Sequence, residues 1–89
     1  MILVKRLVLD ILKPHHPNAL EFSKALAQRG PYRVKLTVLE MDESTETLQV
    51  VIEGADIDLE RIQAAIAELG GSLHSIDEVE VVGEGEPAD

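Results

Sequence analysis

The stretch YRVKLTVLEMDESTETLQVVIE, residues 32–53, holds two runs of alternating apolar and polar residues on either side of a short polar turn. Alternation with a period of two is typical of strands that bury one face, and two such runs around a turn predict an antiparallel hairpin. The residues expected on its buried face are Val34, Leu36, Val38, Leu48, Val50 and Ile52. This hairpin decides the topology, because strand and helix patterns lie both before it and after it.

The segment before the hairpin predicts one strand followed by one helix. Residues 2–12 are rich in branched aliphatic side chains with two-residue alternation, and the strand is expected to end near Pro14, since proline cannot donate to a strand ladder. Asn18 and Glu21 have the spacing of a helix capping box. Gly30 is expected to close this helix in a left-handed conformation.

The segment after the hairpin predicts a second helix and a last strand. Asp58 is a favourable helix N-cap, and an apolar stripe runs from there to a glycine pair that begins at Gly70. Residues 72–82 are predicted to form the strand. The acidic residues 83–89 are expected to be a disordered tail.

The predicted element order is therefore β-α-β-β-α-β, the α+β ferredoxin-like arrangement. Right-handed crossovers place the four antiparallel strands in the order 4-1-3-2, with both helices on one face of the sheet. A chain of 89 residues has room for one such domain, which we assign to residues 1–82.

Composition excludes several classes of partner. The 8 Lys and Arg residues and 17 Asp and Glu residues leave a formal net charge of −9. Nucleic-acid binders need a basic surface, and only Phe22 and Tyr32 offer aromatic rings for bases to stack on. An acidic chain is also repelled by anionic membranes. We therefore expect no nucleic acid and no membrane among the partners.

The absence of cysteine excludes disulfides and thiolate metal sites.

Motifs for catalysis and targeting are missing from the sequence. No serine lies in a nucleophile elbow, and no apolar run approaches the length of a membrane span. Lys5 and Arg6 interrupt the apolar start of the chain, whereas a signal peptide carries its charges first. We predict a cytoplasmic protein that is not an enzyme.

One edge of the predicted sheet collects polar side chains, including all three histidines of the chain. Imidazole and carboxylate groups together suit a divalent transition metal, whereas carboxylates alone suit calcium or magnesium. Asp10 and His74 are expected on the helix-free side of adjacent strands, provided that the last strand has no bulge before His74. The candidate ligands of a mixed site are Asp10, His15, His16, Glu46 and His74, and those of a carboxylate-only site are Glu40, Asp42 and Glu43. A solvated polar edge without any ion is the alternative interpretation.

The helix-free face of the sheet carries a second pattern. Val4, Val8 and Val51 are expected to form an apolar patch there, next to Arg6. Such a patch predicts self-association, and edge strands two and four are alternative sites for pairing between subunits. The basic residues expected on this face are Arg6, Arg33 and Lys35. Cross-strand ion pairs with nearby acids would explain their presence there.

Three motifs together resemble a known family. They are VKRLVLDILKPH at residues 4–15, IEGADID at 52–58 and GGSLHSIDEV at 70–79. In this order and spacing, over residues 1–83, the chain resembles domain of unknown function two-eleven, a family of small, mainly archaeal proteins. The resemblance implies a ferredoxin-like fold and a homo-oligomer. It leaves open calcium or another divalent ion in a polar pocket, and it supplies no activity.

Two functional hypotheses follow. The first is a non-enzymatic protein that associates with itself and holds a divalent cation at its acidic and histidine-rich edge. The alternative is an ACT-like sensor, which binds a small molecule such as an amino acid near the first loop at a subunit interface. ACT domains typically have glycine where this chain has Pro14 and Pro17, so the sensor hypothesis ranks second.

Overall fold

A four-stranded antiparallel sheet carries the fold, with strand order β2-β3-β1-β4. The computed structural model describes residues 1–83. The elements are β1 (Ile2–Pro14), α1 (Ala19–Ala27), β2 (Arg33–Met41), β3 (Thr45–Glu53), α2 (Leu59–Glu68) and β4 (Ser72–Gly83). This is the predicted order 4-1-3-2 read from the other edge, so the ferredoxin-like fold is confirmed. Gly83 ends β4, and the rest of the predicted tail lies outside the described residues.

Both helices begin at the predicted caps. The Asn18 side chain accepts a hydrogen bond from the Glu21 backbone N–H at 2.9 Å. The Asp58 side chain accepts one from the Arg61 backbone N–H at 3.3 Å. Each cap satisfies a backbone donor that has no partner within the helix, which is why these residues define the helix starts.

The core lies between the sheet and the two helices. β3 alternates in burial along its length, and β1 does so from Leu9 onward, because successive side chains of a strand point to opposite faces. The helices contribute Phe22 and Leu26 from α1 and Ile62, Ala65 and Ile66 from α2. The buried residues on the helix side of the sheet are Leu7, Leu9, Ile11, Leu48, Val50 and Ile52.

Gly30 departs from the expected conformation. Among the glycines of residues 1–83, only Gly70 has a positive φ, at 83°, so Gly30 does not close α1 in a left-handed conformation. Gly30 instead makes room for Tyr32, because a Cβ at this position would lie 2.6 Å from the Tyr32 Cζ atom. The Tyr32 hydroxyl in turn accepts the backbone N–H of Asp58 at 2.9 Å. The tyrosine thus links the end of α1 to the start of α2.

A bulge near the start of β1 turns Val4, which was predicted to lie on the surface, towards the core. Val4 pairs with Val81 and Arg6 with Glu80, which leaves Lys5 as an extra residue on β1. We expected Val4 on the helix-free face beside Val8, but Val4 packs against the buried core. The Ile57 N–H also donates to the Val4 carbonyl at 2.8 Å.

Candidate functional site

A buried charge network lies at the end of the sheet where β1 leads into α1. The Lys13 side chain is fully buried, and its Nζ donates to Glu46 Oε1 at 2.8 Å. The same ammonium donates to the carbonyl oxygens of Pro14 and Pro17, at 2.9 and 2.8 Å. Three acceptors therefore satisfy the three N–H groups of this ammonium, which makes its burial tolerable.

His15 occupies the other side of the Glu46 carboxylate. Its Nδ1 lies 2.9 Å from Glu46 Oε2, and its Nε2 lies 2.9 and 3.0 Å from the carbonyl oxygens of Asp42 and Glu43. Because both ring nitrogens face acceptors, the doubly protonated imidazolium fits this position best. The Glu46 hydrogen bond, followed by those to the backbone, raises the pKa of His15. His15 and then Lys13 lower the pKa of Glu46.

The predicted carboxylate-only site is not assembled. Asp42 Oδ1 accepts hydrogen bonds from the Ser44 and Thr45 backbone N–H groups and from the Thr45 hydroxyl, at 3.3, 3.1 and 3.0 Å. These bonds, those from Thr45 first, lower the pKa of Asp42 and commit its carboxylate to the β2–β3 turn. Glu43 contributes its backbone carbonyl to His15. Glu40 lies on β2, on the opposite face of the sheet from Glu46.

Asp10 and His74 lie together, as predicted. They line a cavity of about 260 Å³ on the helix-free face, together with Leu12 and Thr47. Asp10 Oδ1 is buried, and no hydrogen-bond partner from residues 1–83 reaches it. A buried polar atom without a partner is rare in native proteins and requires an explanation. Sequence reasoning did not single out Thr47, because its place beside Asp10 depends on the β1–β3 register, in which it lies opposite Leu12.

The five predicted ligands of a mixed metal site do not converge. Glu46 lies on the helix side of β3 with its oxygens bonded to Lys13 and His15, whereas Asp10 faces the helix-free side of β1. His16 is exposed. Within residues 1–83 no group of three or more His, Asp or Glu side chains is arranged to hold a metal ion. The side chains alternate between faces along each strand, so residues at one sheet edge need not share a site.

On the helix-free face, Arg6 is paired and the predicted apolar patch is reduced. Arg6 donates to Glu53 at 2.8 Å and to Glu78 at 2.6 Å, which confirms the predicted cross-strand pairs of this arginine. Val8, opposite Val51, is only 6% exposed even in a single chain. The predicted self-association face of Val4, Arg6, Val8 and Val51 thus loses Val4 to the core and leaves little of Val8 accessible.

The model of the family DUF211, described as an uncharacterized ArCR, matches residues 5–85. The chain belongs to this family. The uncharacterized protein MJ0319 of Methanocaldococcus jannaschii is 46% identical over 77 residues, which cover 85% of this chain and 79% of that protein. The resemblance found in the sequence is therefore confirmed.

Larger apolar surfaces of this DUF211 protein lie at the two edges of its sheet. On β2 the exposed apolar residues are Val38, Leu39 and Met41, and on β4 they are Ile76, Val79, Val81 and Val82. Within residues 1–83, β2 pairs only with β3 and β4 pairs only with β1. Each edge therefore combines unpaired backbone groups with apolar side chains, the combination that favours pairing with another strand.

The helices of the DUF211 chain are short. In the part of the chain that the structure describes, none is long and apolar enough to cross a membrane.

Proposed function

We propose that this DUF211 protein is an assembling subunit in which β2 of one copy pairs with β4 of the next. The observation that carries the proposal is the presence of exposed apolar side chains on both free edges of the sheet. Assembly, rather than catalysis, is the function that these surfaces support. The proposal moves the contact from the predicted helix-free face to the edge strands, which the sequence offered as the alternative.

The strand register supports a single continuous interface. Val38 lies opposite the buried Leu48, so it projects to the helix side of the sheet. Val79 lies opposite the buried Leu7 and projects to the same side. Two copies in the same orientation would place β2 and β4 antiparallel, because neighbouring strands in this sheet alternate in direction. Their apolar rows would then meet on one side of the extended sheet.

A head-to-tail arrangement of subunits would cover the exposed apolar residues of both edge strands. An isologous pair joined through β4 alone would leave the apolar residues of β2 exposed, and a pair joined through β2 would leave those of β4 exposed. A heterologous β2–β4 contact covers both edges of every subunit when the ring closes. We therefore propose a closed ring with identical contacts.

Native mass spectrometry and light scattering on the full chain test the proposal. Val79→Lys places a charge on the β4 edge, and Val38→Lys places one on the β2 edge. Leu20→Lys is the matched control, because Leu20 on α1 is 63% exposed and Val79 is 57% exposed. We expect the wild type and Leu20→Lys to form the same oligomer, and each edge variant alone to be monomeric.

Mixing the two edge variants distinguishes the ring from a two-fold pair. Each variant retains one intact edge, so a heterologous contact predicts that the mixture forms heterodimers and stops there. An isologous β4 contact predicts instead that Val38→Lys assembles like the wild type. A wild-type chain that stays monomeric at micromolar concentration overturns the proposal.

A second candidate function is the binding of a divalent cation by Asp10 and His74. The supporting observation is that Asp10 Oδ1 is buried beside an imidazole and has no hydrogen-bond partner in residues 1–83. A bound cation would give this oxygen the partner that it lacks. Thr47 and water would complete the coordination. Calorimetry on chelator-treated protein with Zn²⁺ and Ca²⁺ tests this candidate.

We expect the binding heat to disappear in Asp10→Asn and in His74→Gln. His16→Gln is the control, because His16 is exposed and lies outside the cavity. Saturable binding that survives in the Asp10→Asn, His74→Gln double variant contradicts this site, and so does the absence of any binding by the wild type.

A further inference from the structure

A second cavity, which we name the Arg33 cavity, opens on the helix-free face over β2, β3 and β1. Its volume is about 450 Å³, within the range of about 300–1,000 Å³ that is usual for small-ligand pockets. The residues that line it are Arg6, Arg33, Val34, Lys35, Val51 and Glu53. None of the residues considered above for metal binding is among them.

Residues 1–83 do not balance the charges of the Arg33 cavity. Glu53 is the cross-strand neighbour of both Arg33 and Arg6, yet its Oε2 accepts from Arg6 alone, at 2.8 Å. Arg6 is also held by Glu78 at 2.6 Å. Among residues 1–83, Arg33 and Lys35 have no side-chain hydrogen bond or ion pair. Two cations therefore remain available on the β2 side of this cavity.

The spacing of these two cations suits a carboxylate. Arg33 and Lys35 are two residues apart on one strand and face the same side, which separates their Cα atoms by about 7 Å. A carboxylate placed between them accepts from the guanidinium on one side and from the ammonium on the other. Charge-assisted hydrogen bonds of this kind are stronger than those between neutral groups.

Glu53 gives the cavity an acceptor for a positively charged group. Arg6 binds Oε2 of Glu53, and within residues 1–83 no hydrogen bond reaches Oε1. Val51, next to Glu53 on the same face only two residues away, adds an apolar surface. The cavity thus presents two donors for a carboxylate, one acceptor for an ammonium and an aliphatic wall.

The net charge of the protein favours a ligand that carries both signs. At −9 the chain repels a simple anion over the range of about 10 Å that salt leaves unscreened at moderate ionic strength. A zwitterion has no net charge and is not repelled. We propose that the Arg33 cavity binds a free aliphatic α-amino acid. Its carboxylate lies between Arg33 and Lys35, its ammonium on Glu53 and its side chain on Val51.

The site is complete within one copy of the chain. It differs in place from the sensor predicted from the sequence, whose ligand was expected near the first loop between subunits. At that loop, Lys13 and His15 bond to Glu46 and to backbone carbonyls. All the lining residues of the Arg33 cavity come from one chain, so a chain that does not assemble still holds the site.

Calorimetry with three probes on the full chain tests the ligand class. The probes are leucine, its des-amino analogue isocaproate and its des-carboxy analogue isoamylamine. We expect leucine to bind in the millimolar range or tighter, and each analogue to bind at least about tenfold more weakly, since each loses one charge-assisted contact. No saturable heat with leucine overturns the proposal. Isocaproate that binds as tightly as leucine overturns the zwitterion assignment.

Variants then locate the site. Arg33→Gln and Lys35→Gln are each expected to weaken leucine binding about tenfold. Glu53→Gln is expected to weaken leucine while leaving isocaproate unchanged, a difference that a merely structural role of Glu53 does not produce. Lys24→Gln on α1 makes the same change in net charge as the first two variants, away from the cavity. A loss of leucine affinity in Lys24→Gln as large as that in Arg33→Gln contradicts the site. Circular dichroism confirms that each variant is folded.

Discussion

The Lys13 ammonium and the Glu46 carboxylate form a buried ion pair, with Nζ and Oε1 2.8 Å apart. The two residues face each other directly in the β1–β3 register, at the end of the rows that carry the apolar core. Burying a charge is costly, and the cost is offset only when the partner charge and further hydrogen bonds are present. This end of the sheet is therefore stabilised by electrostatic contacts, where the rest of it is stabilised by apolar burial.

Replacing Lys13 with Met is expected to destabilise the protein by about 3–5 kcal/mol, because the buried Glu46 carboxylate loses one of its two cationic partners and keeps only His15. Urea unfolding measures the change in the free energy of unfolding. The double variant Lys13→Met, Glu46→Met is expected to regain part of this loss, since no unpaired charge remains. Lys24→Met, at an exposed position, is the control. Equal stability of Lys13→Met and wild type contradicts the importance of this pair.

Stability is expected to depend on pH through His15. Its pKa is raised in the folded state, so the folded protein favours the protonated ring. The contribution is fully present below the ordinary histidine pKa of about 6.5 and is lost as the pH rises through the higher folded value. Melting temperatures measured across this range should fall with rising pH more steeply in the wild type than in His15→Ala.

His16→Ala is the matched control for this effect, because His16 is the adjacent residue, is exposed and has no hydrogen bond in the described part of the chain. This variant is expected to keep the wild-type pH dependence. If His15→Ala shows the same slope as the wild type, the contact between His15 and Glu46 does not contribute to stability.

Replacing Asp10 with Val is expected to stabilise the protein by about 1–3 kcal/mol in the presence of a chelator. The substitution removes a buried carboxylate oxygen that has no hydrogen-bond partner in the described part of the chain, and it introduces a side chain that favours strands. Glu80→Val makes the same charge change at an exposed position of the helix-free face, and a change within about 0.5 kcal/mol is expected there. A clear loss of stability in Asp10→Val indicates that Asp10 has a protein partner.

Gly30→Ala is expected to destabilise the protein, although Gly30 has no positive φ. The added methyl group would lie 2.6 Å from the Tyr32 ring, which must move and give up its hydrogen bond to the Asp58 N–H. We expect a loss of about 1–3 kcal/mol, the usual cost of overpacking. The double variant Gly30→Ala, Tyr32→Leu should lose little more than Tyr32→Leu alone, and additive losses would contradict this explanation.

Much of the fold could be predicted because its signals are local. Alternation in β3 identified its buried row, and the caps at Asn18 and Asp58 identified both helix starts. Alternation in β2 identified the side chains on the helix side, but Val38, expected to be buried, is 38% exposed because β2 is an edge strand. The handedness of crossovers then placed Asp10 and His74 side by side across distant parts of the chain. These inferences need only strand periodicity, backbone hydrogen bonding within a helical turn and the chirality of the chain.

The candidate sites could be predicted only in part, because they depend on contacts between residues far apart in sequence. A bulge at Lys5 decided that Val4 joins the core, and nothing near Val4 in the sequence indicates it.

The sequence by itself determined which residues alternate, where helices begin and which side of the sheet is apolar, since these follow from interactions within a few residues. Only the tertiary structure decided that Lys13 is buried against Glu46 and that Glu53 binds Arg6. It also decided that, among residues 1–83, Arg33 stays unpaired and one Asp10 oxygen has no partner. The physical reason is that a charged side chain has several acceptors within reach. Which one it binds depends on register, bulges and burial, which are set by the packing of the whole chain.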